Sequence, residues 1–257
     1  MDDLLIIGHS PHQLLSALEL VIHTLVRAGF TINLKKSDLT PTQDLVYLGG
    51  RLRTDLGRVF LPIDRRNALI SVVRSFNRVG KYHTARVWLQ VLGLMAATIS
   101  TVRFARLRMR SVQFHFMRHW GSWLLNEWIM ITRDLCQSLQ WWLAEENLSQ
   151  GLPFSPPTHT MVIVTDASRE GWGGHLLLGG RNLLFSGLWP PFEHRPCHIN
   201  LLELRAIKLT IRHVATHVRG QTLRVECDNT TAVSSLNEQG GTRSKPFATR
   251  RVRFTSG

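Results

Sequence analysis

Three acids in the C-terminal half of the chain have the types and spacing for chemistry. Asp166 closes the β-branched apolar run 161–165, Asp228 closes the run 223–227, and Glu203 lies in a helical stretch near 200–218. Both runs read as strands, so each aspartate falls at a carboxyl end, where open α/β sheets gather their ligands. If the two strands are parallel neighbours, the aspartates come side by side. A helix packed on that sheet then brings Glu203, expected in its first turn, over them. Three clustered carboxylates with no basic partner repel one another and stay ionised together only if cations neutralise them. Oxygen-liganded Mg²⁺, or Mn²⁺, suits such a cluster. Two such ions about 3.5–4 Å apart can activate a water and stabilise the leaving oxygen of a phosphodiester. Singly, each acid has an ordinary use: Asp166 could cap a turn, Glu203 could favour a helix N-terminus and Asp228 could form an Asx turn.

The surrounding pattern supplies the elements that must position these acids. Gly171-Trp172-Gly173-Gly174 opens a second strand through Leu178, Gly179-Gly180 is a hairpin turn, and 183–185 begins a third strand. A loop at Trp189-Pro190-Pro191 precedes the glutamate helix, and a short helix begins near Thr230. Three meandering strands, a helix, a strand and a helix indicate a mixed sheet with flanking helices, an α/β (α+β mixed) fold.

The first half has a different character. Residues 4–8 and 30–34 read as strands, with a helix between them that starts at Ser10-Pro11 and stops at Gly29. Residues 45–48 form another strand, and Gly49-Gly50 suggests a close backbone approach or a bulge. From 60 to 120 there are eleven Lys/Arg and one acid, Asp64, in a mainly helical pattern with breaks at Gly80 and Gly93. Arg103, Arg106, Arg108 and Arg110 cannot share one helical face, so several must point outward. Trp120, Trp123, Trp128, Trp141 and Trp142 follow; such residues are mostly core, with one or two as possible base-stacking platforms. Residues 151–160, with Pro153, Pro156 and Pro157, are the best linker.

Composition sets the limits. The chain has 257 residues and 44% hydrophobic content, enough for two modest domains, or one domain plus a partial one, with an ordinary core. A formal charge of +13 favours a polyanion such as nucleic acid. Cys136, Cys197 and Cys227 are scattered and form neither a CxxC pair nor a disulfide framework, which fits a reducing, intracellular compartment, cytoplasm or nucleus. The N-terminus has no basic n-region and no apolar stretch is long enough to span a bilayer, so neither secretion nor a membrane is expected.

The motifs also carry a resemblance. Thr165-Asp166-Ala167-Ser168 with Gly171-Trp172-Gly173 resembles the first strand and hairpin of the ribonuclease H family. His198-Ile199-Asn200-Leu201-Leu202-Glu203-Leu204-Arg205-Ala206 resembles its glutamate helix, and Cys227-Asp228-Asn229-Thr230-Thr231-Ala232 its second aspartate strand. The variant spelled Asn-x-x-Glu-Leu-Arg-Ala, Asp-Asn-Thr-Thr-Ala, then Gln239 to Ser244 resembles that of DIRS-type, tyrosine-recombinase retrotransposons. Met1-Asp2-Asp3-Leu4-Leu5-Ile6 is similar to the end of a reverse transcriptase Y-x-D-D motif. The blocks beginning Phe30-Thr31-Ile32-Asn33 and Tyr47-Leu48-Gly49-Gly50 are similar to its later palm strands and primer grip.

The resemblance implies a layout. Residues 1–60 would be the end of a palm, 61–150 a thumb and connection, 151–160 a linker, 161–244 an incomplete ribonuclease-H-like domain and 245–257 a basic tail. It also implies two-metal hydrolysis of the RNA strand of an RNA–DNA hybrid by Asp166, Glu203 and Asp228, with no small-molecule cofactor. Asp2 and Asp3 would be a polymerase remnant without the upstream aspartate, so primer extension is not expected. The family's further strand and final aspartate find no match after Ser244, which leaves a catalytically inactive nucleic-acid-binding remnant, or a degenerate product without a stable fold, as alternatives. Hybrid or duplex contacts would fall on Gly171, Gly173, Asn229, Thr230 and Thr231 and on Arg103, Arg106, Arg108 and Arg110.

Overall fold

The computed structural model describes residues 3–178, 180–190 and 198–240. Asp2, Cys197 and the expected tail at 245–257 lie outside them. The described chain is a mixed α/β structure built on two four-stranded sheets, a two-stranded ribbon and a set of helices between them. Among the described residues, no helix is long and apolar enough to cross a membrane.

Helix α1 (Pro11–Arg27) starts where the sequence places it. Ser10 caps it, its Oγ accepting from Gln13 N at 3.2 Å, and Pro11 occupies the first turn. Gly29, at φ 87°, ends the turn that follows. Residues 4–8 and 30–34, expected as strands, are not strands; a single 3-10 turn spans Leu34–Lys36. An apolar run becomes a strand only when a neighbour pairs its backbone, and these two segments find none among the described residues.

The first sheet runs β1 (Asp44–Tyr47), β2 (Gly50–Arg53), β3 (Arg58–Phe60) and β6 (Leu152–Pro153), all antiparallel. The β1–β2 hairpin closes through Leu48 and Gly49 at φ 45° and 84°, the pair of left-handed residues that a two-residue turn demands. The approach there is close: a Cβ on Gly49 would lie 2.1 Å from Arg65 Nη1, and one on Gly50 would lie 2.8 Å from Val59 Cγ2. The proline-rich segment after Gly151 is therefore tied down at its start, where Leu152 pairs with Val59. Pro153 sits on the sheet's edge, where its missing N–H costs nothing.

Helices α2 (Ile63–Phe76), α3 (Ala85–Ala96), α4 (Ala105–His119), α5 (Arg133–Leu143) and α6 (Glu145–Ser149) pack with the ribbon of β4 (Tyr82–Thr84) and β5 (Trp128–Met130). Their shared core holds Phe76, Trp88, Met95, Phe116, Leu139 and Trp142. Gly80 lies in a turn at φ 78°, but Gly93 is inside α3 rather than at a break. A single glycine costs a helix only about 1 kcal/mol, which the buried Trp88, Val91 and Met95 around it outweigh.

The third part is the sheet β10–β7–β8–β9, from β7 (Met161–Ala167), β8 (Gly171–Leu178), β9 (Arg181–Leu188) and β10 (Leu223–Glu226). β7, β8 and β9 form an antiparallel meander. β10 joins β7 in parallel, with Glu226 opposite Val164, because the crossover runs through helix α7 (Ile199–His213). Leu204, Ile207 and Ile211 of α7 bury against Ile163 and Leu176 of the sheet. Helix α8 (Thr230–Asn237) follows β10 and is capped by Asn229 Oδ1, which accepts from Ala232 N at 2.9 Å. The end of α8 is fastened to the helical region: Glu238 pairs with Arg106, and Leu107 N donates to Gln239 Oε1 at 3.1 Å.

Candidate active site

The parallel pairing of β7 with β10 brings the two aspartates onto adjacent strand ends. Asp166 is the sixth residue of β7, and Asp228 lies two residues beyond β10. Both are exposed at that end of the sheet. Glu203 is the fifth residue of α7, so it opens the second turn rather than sitting in the first. That shift has a physical reason: His198 caps the helix, its Nδ1 accepting from Asn200 N at 3.3 Å, so the helix begins at Ile199. The side chain of Glu203 is only 3% exposed.

Burial pushes the Glu203 carboxyl above its ordinary value, and the nearby charges of Asp166 and Asp228 push it further. A hydrogen bond from Cys227 and one from the Ala167 backbone oppose that rise. The Cys227 thiol donates to Glu203 Oε2 across 3.6 Å and is itself raised, chiefly by burial. Donor atoms of Glu203, Cys227 and Asp228 all lie within 4.8 Å of one another. Asp166 is not in that tight group; its Oδ1 accepts from Ala167 N at 2.8 Å.

The carboxylate oxygens of the group are hard donors of the kind a divalent cation such as Mg²⁺ takes, while the Cys227 sulfur is a soft one. The charges of Asp166 and Asp228 both act on Glu203, and among the described residues no cation is one of the groups that shift it. The sequence gives Cys227 no role of its own, because its spacing from the other cysteines forms no ligand pair, and its one signal is adjacency to Asp228. Asn200 was likewise missed as a positioning group. Its Oδ1 accepts from Asn229 Nδ2 at 2.9 Å, which ties the start of α7 to the start of α8. Since Asn200 and Glu203 share a helix face at i,i+3, that bond holds Glu203 relative to Asp228.

The glycines beside Asp166 divide into two kinds. Gly173 is the direct partner of Asp166 across β7–β8, and a Cβ there would meet nothing, so the approach to the carboxylate is open. Gly171 is packed: a Cβ would lie 2.6 Å from Gly187 O. The intervening turn is fixed by Ser168, whose Oγ accepts from the Glu170 and Gly171 N–H groups at 3.1 Å each. Thr230 and Thr231 are exposed in the first turn of α8.

The four arginines separate. Arg103 is exposed and stands over the Phe104 ring at 4.9 Å. Arg106 pairs with Glu238. Arg108 lies over Trp141 at 5.2 Å. Arg110 is buried, bonding Gln113 Oε1 at 3.0 Å and the Glu238 carbonyl at 3.4 Å. The structure thus turns three of the four to internal contacts. Asp3, ahead of helix α1, is exposed, and its carbonyl accepts from Tyr47 OH at 3.4 Å.

No protein-family model matches the sequence, and no curated protein matches it. Solved structures of a foamy viral protease–reverse transcriptase resemble the fold. The form in complex with an RNA/DNA hybrid is 15% identical, with a TM-score of 0.49 over 91% of this chain and 31% of that one. The form in complex with dsDNA is 16% identical, with a TM-score of 0.47 over 93% of this chain and 48% of that one. This chain therefore spans less than half the length of either.

Proposed function

We propose that this chain is the palm-to-ribonuclease-H portion of a retroelement reverse transcriptase of DIRS type, and that it hydrolyses the RNA strand of an RNA–DNA hybrid. One observation carries the reading: Asp166 and Asp228 end adjacent parallel strands, and both charges act on the buried Glu203. In this reading residues 1–60 are palm, 61–150 thumb and connection, 151–160 the join and 161–244 the nuclease.

Asp166, Glu203 and Asp228 would hold two Mg²⁺ or Mn²⁺ ions. When bound, such ions supply an activated water and neutralise the charge that develops on the phosphodiester. The chain's own residues do the rest. Burial keeps Glu203 poorly hydrated, so its charge is strongly felt by whatever sits beside it. The Asn200–Asn229 bond holds its helix in register with Asp228. Gly173 leaves room beside Asp166 for the sugar edge of a hybrid, where 2′-hydroxyls mark the RNA strand. The N–H groups at Thr230 and Thr231 and the exposed Arg103 guanidinium would take phosphates in this reading.

The test is Mg²⁺-dependent cleavage of a labelled RNA–DNA hybrid by the wild type and by Asp166→Asn. Cleavage that the substitution abolishes, with hybrid binding retained, is the expected result. Equal cleavage by both proteins would show a contaminant. A second reading, a binding module without hydrolysis, draws on the position of Asp166 outside the tight donor group. It predicts salt-sensitive binding with no cleavage by either protein.

A further inference from the structure

Two tryptophans of the helical region stay out of its core. Trp123 and Trp128 are each 66% exposed, and Tyr82 is 52% exposed. Trp128 stands opposite Thr84 in the β4–β5 ribbon, and Tyr82 stands opposite Met130. Tyr82, Trp128 and Met130 therefore share the ribbon's outward face, while Ile129 turns into the core.

Trp123 is held in place. Its φ of 59° is a left-handed conformation that tryptophan adopts at a cost. The Glu127 carboxylate pins the loop around it, accepting from Gly121 N at 3.2 Å, Ser122 N at 3.0 Å and Ser122 Oγ at 2.6 Å. Trp120 Nε1 donates to Leu124 O at 3.1 Å. The Trp123 ring leans on Trp120 at 4.9 Å, which stacks on Phe116 at 4.7 Å. A ladder of rings thus runs from the core to solvent and ends on an open aromatic face.

Charge decides what such a face fits. Between residues 65 and 133 the chain has twelve Lys/Arg and a single acid, Glu127, whose carboxylate the loop already uses. Arg86 is exposed and joined to the same loop, its N–H donating to Leu125 O at 3.0 Å. Arg118 is exposed in the last turn of α4, just before the loop. Exposed π-faces among cations suit a polyanion with stackable rings, and a duplex hides its base faces inside the stack.

We propose that the β4–β5 ribbon and the 121–127 loop bind an unpaired nucleic-acid strand, with bases stacking on Trp123, Trp128 and Tyr82 and phosphates met by Arg86 and Arg118. This site goes beyond the nuclease reading and requires no hydrolysis.

Fluorescence anisotropy of the full chain, in EDTA, tests it with a labelled single strand and an abasic strand of equal length. Trp123→Ala and Trp128→Ala each weaken binding of the base-bearing strand about ten-fold and leave the abasic strand unchanged, while Trp128→Phe keeps most of the affinity. Unchanged affinity for the base-bearing strand in both alanine variants, or equal losses on both strands, overturns the proposal. So does a dimer that Trp128→Ala splits without changing strand affinity, since the face would then serve self-association. Because EDTA removes cleavage from the readout, failure here and failure of the nuclease assay are separate results.

Discussion

The thiol of Cys227 donates to the buried carboxylate of Glu203 across 3.6 Å, so the residue before one candidate metal ligand steadies the charge of another. The bond opposes the rise that burial and the two aspartates impose on Glu203. Removing it lifts the Glu203 pKa further. Cys227→Ala is therefore expected to move the acid limb of the hydrolysis profile to higher pH by less than about one unit, the scale of one neutral hydrogen bond. Cys227→Ser, which keeps a donor, restores it. A pH–rate profile of the three proteins checks this.

Neighbouring glycines in β8 should behave in opposite ways. A Cβ on Gly174 would fall 2.1 Å from Thr210 Oγ1 and 2.9 Å from its Cβ, in a fully buried site. Gly174→Ala is expected to destabilise by about 1–3 kcal/mol, from overpacking between sheet and α7. Gly173→Ala meets open space and should leave the urea midpoint near wild type, yet weaken hybrid binding beside Asp166. Equal midpoints for the two variants would contradict the placement of α7.

The arginines yield a contrast in salt dependence. Exposed Arg103 can meet a phosphate, whereas Arg106 and Arg110 are engaged with Glu238. Arg103→Ala should reduce the slope of log affinity against log salt by about one, with little change in stability. Arg110→Ala should lower the melting temperature and leave the slope nearly unchanged. The reverse pattern would place the nucleic acid on the α4 side that contacts Glu238.

Acid should loosen the helical region before the sheet of β7, β8, β9 and β10. His83 and His115 are both held below the ordinary imidazole value, chiefly by burial. His83 stacks on Phe76 at 4.5 Å, and His115 lies between Trp88 and His119 with Nε2 2.8 Å from Met130 O. The unfolded chain protonates these imidazoles first, so stability is full above about pH 6.5 and declines as pH falls below it. His115→Phe should flatten the melting curve between about pH 7 and pH 5.

The third part of the fold was legible because local and global signals agreed there. The Gly171 start and the Gly-Gly turn gave β8 the observed bounds Gly171–Leu178, and the apolar runs ending in Asp166 and Asp228 marked two strands whose parallel pairing, a condition at the level of sequence, the structure shows. Residues 4–8 and 30–34 misled because an apolar run carries no information about its pairing partner. The partners of the α4 arginines were illegible for a related reason: charge shows on the sequence, but Glu238, the group that engages Arg106, lies more than a hundred residues away. Cys227 and Asn200 entered the site only through the fold, since their contacts cross from α7 to the segment between β10 and α8.

Binding of Mn²⁺, followed by the loss of its free-ion electron paramagnetic resonance signal in the presence of a non-cleavable hybrid, tests most directly whether the three acids act as one site. The wild type should take up Mn²⁺, while Asp166→Asn, Glu203→Gln and Asp228→Asn should each lose most of that uptake with the fold intact by circular dichroism. Equal uptake by the wild type and all three variants would contradict a shared cation site.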